Sequence, residues 1–144
     1  EEMGGRDPQR TPMQWDATKN AGFTTGEPWL PVAESSTKNN VAQQMDDDES
    51  FLSLYQMLLH LRHIDPVLVS GSFDLIDVVN DMLVYQRSGD DRTYLVVLNF
   101  ANESRSVQVP KGDVLFLTNR GDVEEYDEHG ELTLKAHSAV LIKL

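Results

Sequence analysis

Thr93-Tyr94-Leu95-Val96-Val97-Leu98-Asn99-Phe100, residues 93 to 100, is dominated by β-branched, aromatic and leucine side chains and is punctuated by Gly89-Asp90-Asp91 before it and Asn102-Glu103 after it. Similar runs lie on both sides. Upstream are 67–69, 72–78 and 82–87, and downstream are 104–109, 114–117, 131–135 and 139–143. Ser-Gly, Asn-Asp, Pro-Lys-Gly-Asp and His-Gly turns separate them. Short strands at such spacing, about eight of them, predict a mostly β chain in which residues 66–144 form an antiparallel Greek-key β-sandwich.

Ahead of that region the period changes. Between residues 49 and 63, Phe51, Leu52, Leu54, Tyr55, Leu58, Leu59 and Leu61 recur mostly at three and four spacing, which predicts one amphipathic helix. Asp65-Pro66 ends it. One of the carboxylates in Asp46-Asp47-Asp48-Glu49 is expected to cap the helix, since that run lacks the alternate ligand spacing and the glycine of a calcium loop. Residues 1–48 are rich in Gly, Pro, Asn, Ser and Thr and read as loop, with nothing in them to build a core of their own.

Within that loop-rich part, Arg6-Asp7-Pro8-Gln9-Arg10-Thr11-Pro12-Met13-Gln14-Trp15-Asp16 places two arginines and a tryptophan on a backbone too proline-broken for a helix or a central strand. Pro8 and Pro12 fix their own φ and push their neighbours toward extended geometry, so the run predicts a stiff loop that presents Arg6 or Arg10 in a set direction. The plainer use of Trp15 and Trp29 is to plug a domain junction. Asp7 and Asp16 are not read as a catalytic carboxylate pair, because loop capping is the simpler use of both.

This eleven-residue run, followed by Asn20-Ala21-Gly22-Phe23-Thr24-Thr25-Gly26-Glu27-Pro28-Trp29 and Asn40-Val41, resembles the oligo-1,6-glucosidases, dextran glucosidases and related α-glucosidases of glycoside hydrolase family 13. The likeness continues through Leu61-Arg62, Gly71-Ser72-Phe73 and Leu98-Asn99-Phe100. The resemblance implies a parent enzyme with its nucleophile, acid/base and third carboxylate on earlier strands of a (β/α)8 barrel. A complete barrel needs about 250 residues, so no catalytic residue is expected in this chain of 144. Residues 1–65 then correspond to the end of the catalytic barrel domain, with the 49–63 helix left over as its last helix. The start on Glu1-Glu2 fits a cut or processed chain.

By the same resemblance Arg6 is the substrate-binding residue, its guanidinium reaching the glucose on the non-reducing side of the cleaved bond. Five planar donors suit the bridging of a sugar hydroxyl and a carboxylate. Arg10 is a secondary candidate for the same cleft, because a guanidinium in a proline-rich loop more often ties down nearby carbonyls. The implied partners are an oligosaccharide, held through the missing barrel, and the barrel itself, on which the sandwich and the helix would pack. Trehalose synthases and sucrose isomerases carry related motifs, which leaves hydrolase against isomerase open. A non-catalytic relative that shares the barrel and the sandwich, and a carbohydrate-binding module, are further alternatives.

Composition narrows the classes. Hydrophobic residues at 40% and charged residues at 25% allow a normal core. A net charge of −12, from 24 acids against 12 bases, repels phosphate backbones and anionic lipid, so neither nucleic-acid nor membrane binding is expected. The absence of cysteine excludes disulfides and thiolate metal sites and suits a cytoplasmic location. His60 and His63 have a helical ligand spacing, with Asp65 nearby, but no matching third or fourth ligand is visible, so no metal is expected. No Gly-rich phosphate loop marks a cofactor site either. Phe73, Tyr85, Tyr94, Phe100, Phe116 and Tyr126 mostly lie inside alternating apolar runs that read as core, against a sugar-stacking sheet face. Asn102-Glu103-Ser104 is a formal glycan acceptor and a weak signal.

Overall fold

The β-rich half folds as its alternation demands. A computed structural model describes residues 5–118 and 121–144, and in it the chain divides into two compact units, Glu1–Leu58 and Leu59–Leu144. In the second unit eight strands, β1 (Ser72–Val79), β2 (Met82–Ser88), β3 (Thr93–Asn99), β4 (Arg105–Gln108), β5 (Asp113–Leu117), β6 (Val123–Tyr126), β7 (Glu131–Leu134) and β8 (Ala139–Lys143), make two sheets. One has the order β1-β2-β3-β8-β5 and the other β4-β7-β6, with every pairing antiparallel. Pairing β3 with β8 encloses the four strands between them in sequence, which is the Greek-key return.

Core residues come from alternate positions of both sheets. Met82 and Val84, Leu95 and Val97, Val140 and Ile142 face Val109, Leu132 and Leu134 across the sandwich, and all are buried. A second, smaller cluster lies on the outer face of the larger sheet, where Val67, Leu68 and Leu61 pack on Tyr94, Val96, Leu141 and Phe116. Phe73 and Phe100 depart from the core reading, standing 57% and 60% exposed.

The number of strands matches the expectation, but its make-up does not. Residues 67–69, read as strand, belong to a short helix, α3 (Pro66–Ser70). Asp65 caps it by accepting the Val67 amide at 2.9 Å, and proline at the first helical position is favourable, so local capping overrides the β propensity of the two valines. The strand that replaces it, β6, has two glutamates in four residues and gave no apolar alternation to read.

Helix α2 (Phe51–Ile64) lies where the periodicity puts it, preceded by a one-turn helix α1 (Val41–Met45) that the sequence reading took for loop. Its cap is not one of the run of acids. Ser50 Oγ accepts the Ser53 amide at 3.2 Å while the Ser50 carbonyl accepts the Leu54 amide at 2.9 Å. The Gln44 side chain takes the Leu52 amide at 3.0 Å. Asp47 instead closes a local turn, accepting the Glu49 amide at 2.9 Å.

Candidate functional site

The first unit holds the proline-rich run through its backbone. Asp7–Gln9 forms a single 3-10 turn rather than an extended ribbon, because Pro8 sits in its first turn, where no amide is missed, and the Arg10 amide reaches the Asp7 carbonyl at 2.9 Å. Arg6 and Arg10 therefore flank one tight turn. Both are exposed, and neither guanidinium has a hydrogen-bond or ion-pair partner among the described residues. Pro12 is buried and anchors the loop just beyond them.

Residues 14 and 15 are braced from the other side. The first two amides of α1, those of Val41 and Ala42, donate to the carbonyls of Gln14 and Trp15 at 2.9 and 3.0 Å. Asn40, 2% exposed, caps α1 by accepting the Gln43 amide at 3.0 Å and donates to the Ser36 carbonyl at 2.9 Å. The bracing role of Asn40-Val41 lies in backbone bonds. An asparagine ahead of Val41-Ala42-Gln43-Gln44-Met45 carried the capping signal.

Asp16 is a turn-forming carboxylate, consistent with its reading as a loop cap. It accepts the amide and hydroxyl of Thr18, bonds that hold its carboxyl below the usual range. The Trp15 amide donates to the Ala21 carbonyl at 2.9 Å, which folds 20–22 back onto the motif. That return passes through Asn20 and Ala21, both at positive φ (56° and 53°), and then Gly22 at 67°. Two successive non-glycine residues in the left-handed region are strained, and the Asn20 amide offsets this by donating to the Thr24 and Gly26 carbonyls at 3.1 and 2.7 Å. In this segment Trp15 is 50% and Trp29 86% exposed.

An apolar groove of about 220 Å³ runs beside the motif, lined by Met13, Val41, Gln44, Phe51, Leu52 and Tyr55. Its lining is helix-face residue rather than a convergent set of polar groups, so it has the character of a packing surface and not of a reactive site. His60 and His63 stand exposed on α2. Asp65, the third member of that apparent ligand set, is already engaged in the second unit, where the hydroxyl of Tyr94 and Nη1 of Arg92 (3.2 Å) both donate to its Oδ2. Burial alone would raise its pKa, but the bonds from Tyr94, the Val67 amide and Arg92 together hold it low. Asn102 is exposed and its Oδ1 lies 2.9 Å from Nε2 of His137.

The alpha-amylase catalytic-domain family matches residues 1–71, from the arginine-rich turn to the end of α3. This chain belongs to the alpha-amylase family. It is 42% identical over 105 residues to the glucan 1,6-alpha-glucosidase of Streptococcus pneumoniae serotype 4, a match covering 73% of the chain and 20% of that protein. Against the oligo-1,6-glucosidase of Halalkalibacterium halodurans the identity is 39% over 140 residues, covering 94% and 25%. Among solved structures, the trehalulose synthase MutB of Pseudomonas mesoacidophila MX-45 superposes with a TM-score of 0.84 at 39% identity, covering 96% of this chain and 26% of that one. The alpha-amylase family segment described here thus spans about a quarter or less of the length of these relatives.

Proposed function

We propose that this segment is the C-terminal portion of a retaining α-glucosidase that removes terminal α-1,6- or α-1,4-linked glucose from oligosaccharides. What supports the reading is the turn at 7–9, which Arg6 and Arg10 flank as exposed arginines whose guanidinium groups have no partner among the described residues, within the stretch matched to the alpha-amylase catalytic domain. Arg6 binds the terminal sugar in this scheme. Its planar donors grip a hydroxyl together with a carboxylate supplied by the barrel, and Arg10 has a secondary part in the same cleft. The reactive carboxylates belong to polypeptide outside this chain, and the double displacement through a covalent glycosyl-enzyme proceeds there. The segment itself is inactive alone, contributes the substrate arginine and braces the barrel, and is cytoplasmic.

In the full-length enzyme Arg6→Ala should lower kcat/KM by about 30- to 900-fold, the equivalent of about 2–4 kcal/mol of transition-state binding, with the melting temperature unchanged. Unaltered kinetics would remove Arg6 from the site. A second reading, favoured by the likeness to a trehalulose synthase, is a glucosyl-transferring isomerase. Product analysis with sucrose separates them, since glucose and fructose mark a hydrolase and an isomeric disaccharide marks the transferase.

A further inference from the structure

Among the described residues β1 is the longest strand, and it is an edge. It pairs on one side only, with β2, and all eight of its residues are exposed. Five of them, Phe73, Leu75, Ile76, Val78 and Val79, are large and apolar. A free edge of that length and character is a ready template for another strand. Two carboxylates stand on it.

The register with β2 fixes the face each side chain shares. Phe73, Leu75 and Val78 lie opposite Arg87, Tyr85 and Leu83, whereas Asp74 and Asp77 lie opposite Gln86 and Val84. Since Val84 is a core residue, both carboxylates belong to the sandwich-facing side of the sheet, at a margin that leaves them exposed. Asp74 accepts a bond from the Ser72 hydroxyl at 3.3 Å, and neither acid has an ion-pair partner among the described residues. The pairing also slips between Leu75 and Asp77, which makes Ile76 a bulge.

These features converge on one geometry. An antiparallel pairing of all eight residues with β1 of a second copy, about a two-fold axis, sets Phe73 opposite Val78 of the copy and Leu75 opposite Ile76 of the copy. That is the register its apolar residues favour. It also sets Asp74 opposite Asp77 of the copy, and Asp77 opposite Asp74 of the copy, so two like-charge pairs on one face oppose it. The bulge at Ile76 falls at the axis and interrupts the ladder of both strands. A net charge of −12 per chain adds long-range repulsion. The edge strands β5 and β6 carry register shifts as well, between Val114 and Phe116 and between Val123 and Glu125, while the interior pairings β2–β3 and β3–β8 run without one. Irregularity is thus concentrated at the edges, where it blunts association.

We infer that Asp74, Asp77 and the bulge at Ile76 close the β1 edge against a second copy of this chain. The device is independent of what the longer protein catalyses, and it acts against one partner, the protein itself.

Sedimentation velocity of the full-length protein over a concentration series tests this. The Asp74→Val/Asp77→Val variant should dimerise at least about tenfold more tightly than the parent, and hydrogen exchange should slow at the β1 amides of that dimer. The Asp74→Lys/Asp77→Lys variant keeps like charges opposed and should sediment as the parent does. Circular dichroism checks that each variant is folded; should the valine pair fail to fold, Asp74→Asn/Asp77→Asn, which removes charge alone, is read by the same two measurements. Unchanged sedimentation of the folded uncharged variant overturns the inference. Association that leaves β1 exchange unaltered does so too, because the contact then lies elsewhere. Equal association of the lysine variant would remove the charges from the device, and a parent already dimeric with protected β1 amides would show that the edge is open.

Discussion

Asn99, 2% exposed at the end of β3, shows what one side chain does in this fold. Its Nδ2 donates to the Glu103 and Lys135 carbonyls at 2.9 and 2.8 Å and its Oδ1 accepts the Ala101 amide at 2.9 Å. Those bonds tie the turn after β3 to the end of β7 in the opposite sheet. Asn99→Ala leaves the buried Ala101 amide and two partly buried carbonyls unsatisfied, so a loss of about 2–3 kcal/mol is expected in denaturant titration of the full-length protein. Gly22 is equally constrained. A methyl group there would sit 2.6 Å from Oδ2 of Asp16 at a φ of 67°, and Gly22→Ala is expected to destabilise the loop at 15–22 by about 1–2 kcal/mol and, on the proposed function, to raise KM in the full-length enzyme. Asp65 gives a pH dependence. Its carboxyl titrates lower folded than the ordinary value near about 3.9. The stability it contributes is therefore complete above that range and is lost as the pH falls through the folded pKa. Asp65→Asn should flatten the acid limb of the stability–pH curve as well as lower its plateau; an acid limb identical to the parent's would show that the Tyr94 and Arg92 bonds do not hold the charge.

At the scale of elements, the contrast between α3 and β6 explains what the sequence could and could not reveal. The alternation of β2, β3 and β8 was legible because each buries one face or both, and burial leaves a hydrophobic trace; the period of α2 was legible from its apolar stripe, although no residue of α2 is buried in this segment. The helix α3 was hidden by Val67 and Val69, whose strand preference is outweighed by a cap at Asp65 and a proline at the next residue. Strand β6 was hidden because Val123 and Tyr126 are only partly buried against the core and leave too little periodicity to count. The candidate site was legible in a different way. Spacing and residue type picked out the Arg6–Asp16 run, but the bracing by α1 and the left-handed pair at 20 and 21 depend on backbone bonds that no side-chain pattern records. Capping can be tested directly: Ser50→Ala should cost α2 about 1 kcal/mol, whereas Asp48→Ala, beyond any cap role, should be neutral within about 0.5 kcal/mol.

Across the whole molecule, packing is uneven. The central strands β3 and β8 are flanked on both edges and covered on both faces, while β4 and β6 are edges of a three-stranded sheet. Hydrogen exchange in the full-length protein should accordingly be slowest at Leu95, Val97, Val140 and Ile142 and faster by orders of magnitude in β4 and β6. Uniform protection would contradict this distribution of burial. The apolar groove by Met13 and the exposed row on β1 lie outside either hydrophobic cluster.

The insertion of β8 between β3 and β5 has a consequence for biosynthesis. A ribosome delivers β3 and β5 well before β8, and until it does so the growing sheet has a gap with unpaired amides on both banks and half a core facing water. The nascent chain must wait in that open form, so chaperone engagement and aggregation during translation should both peak in the interval between β5 and β8.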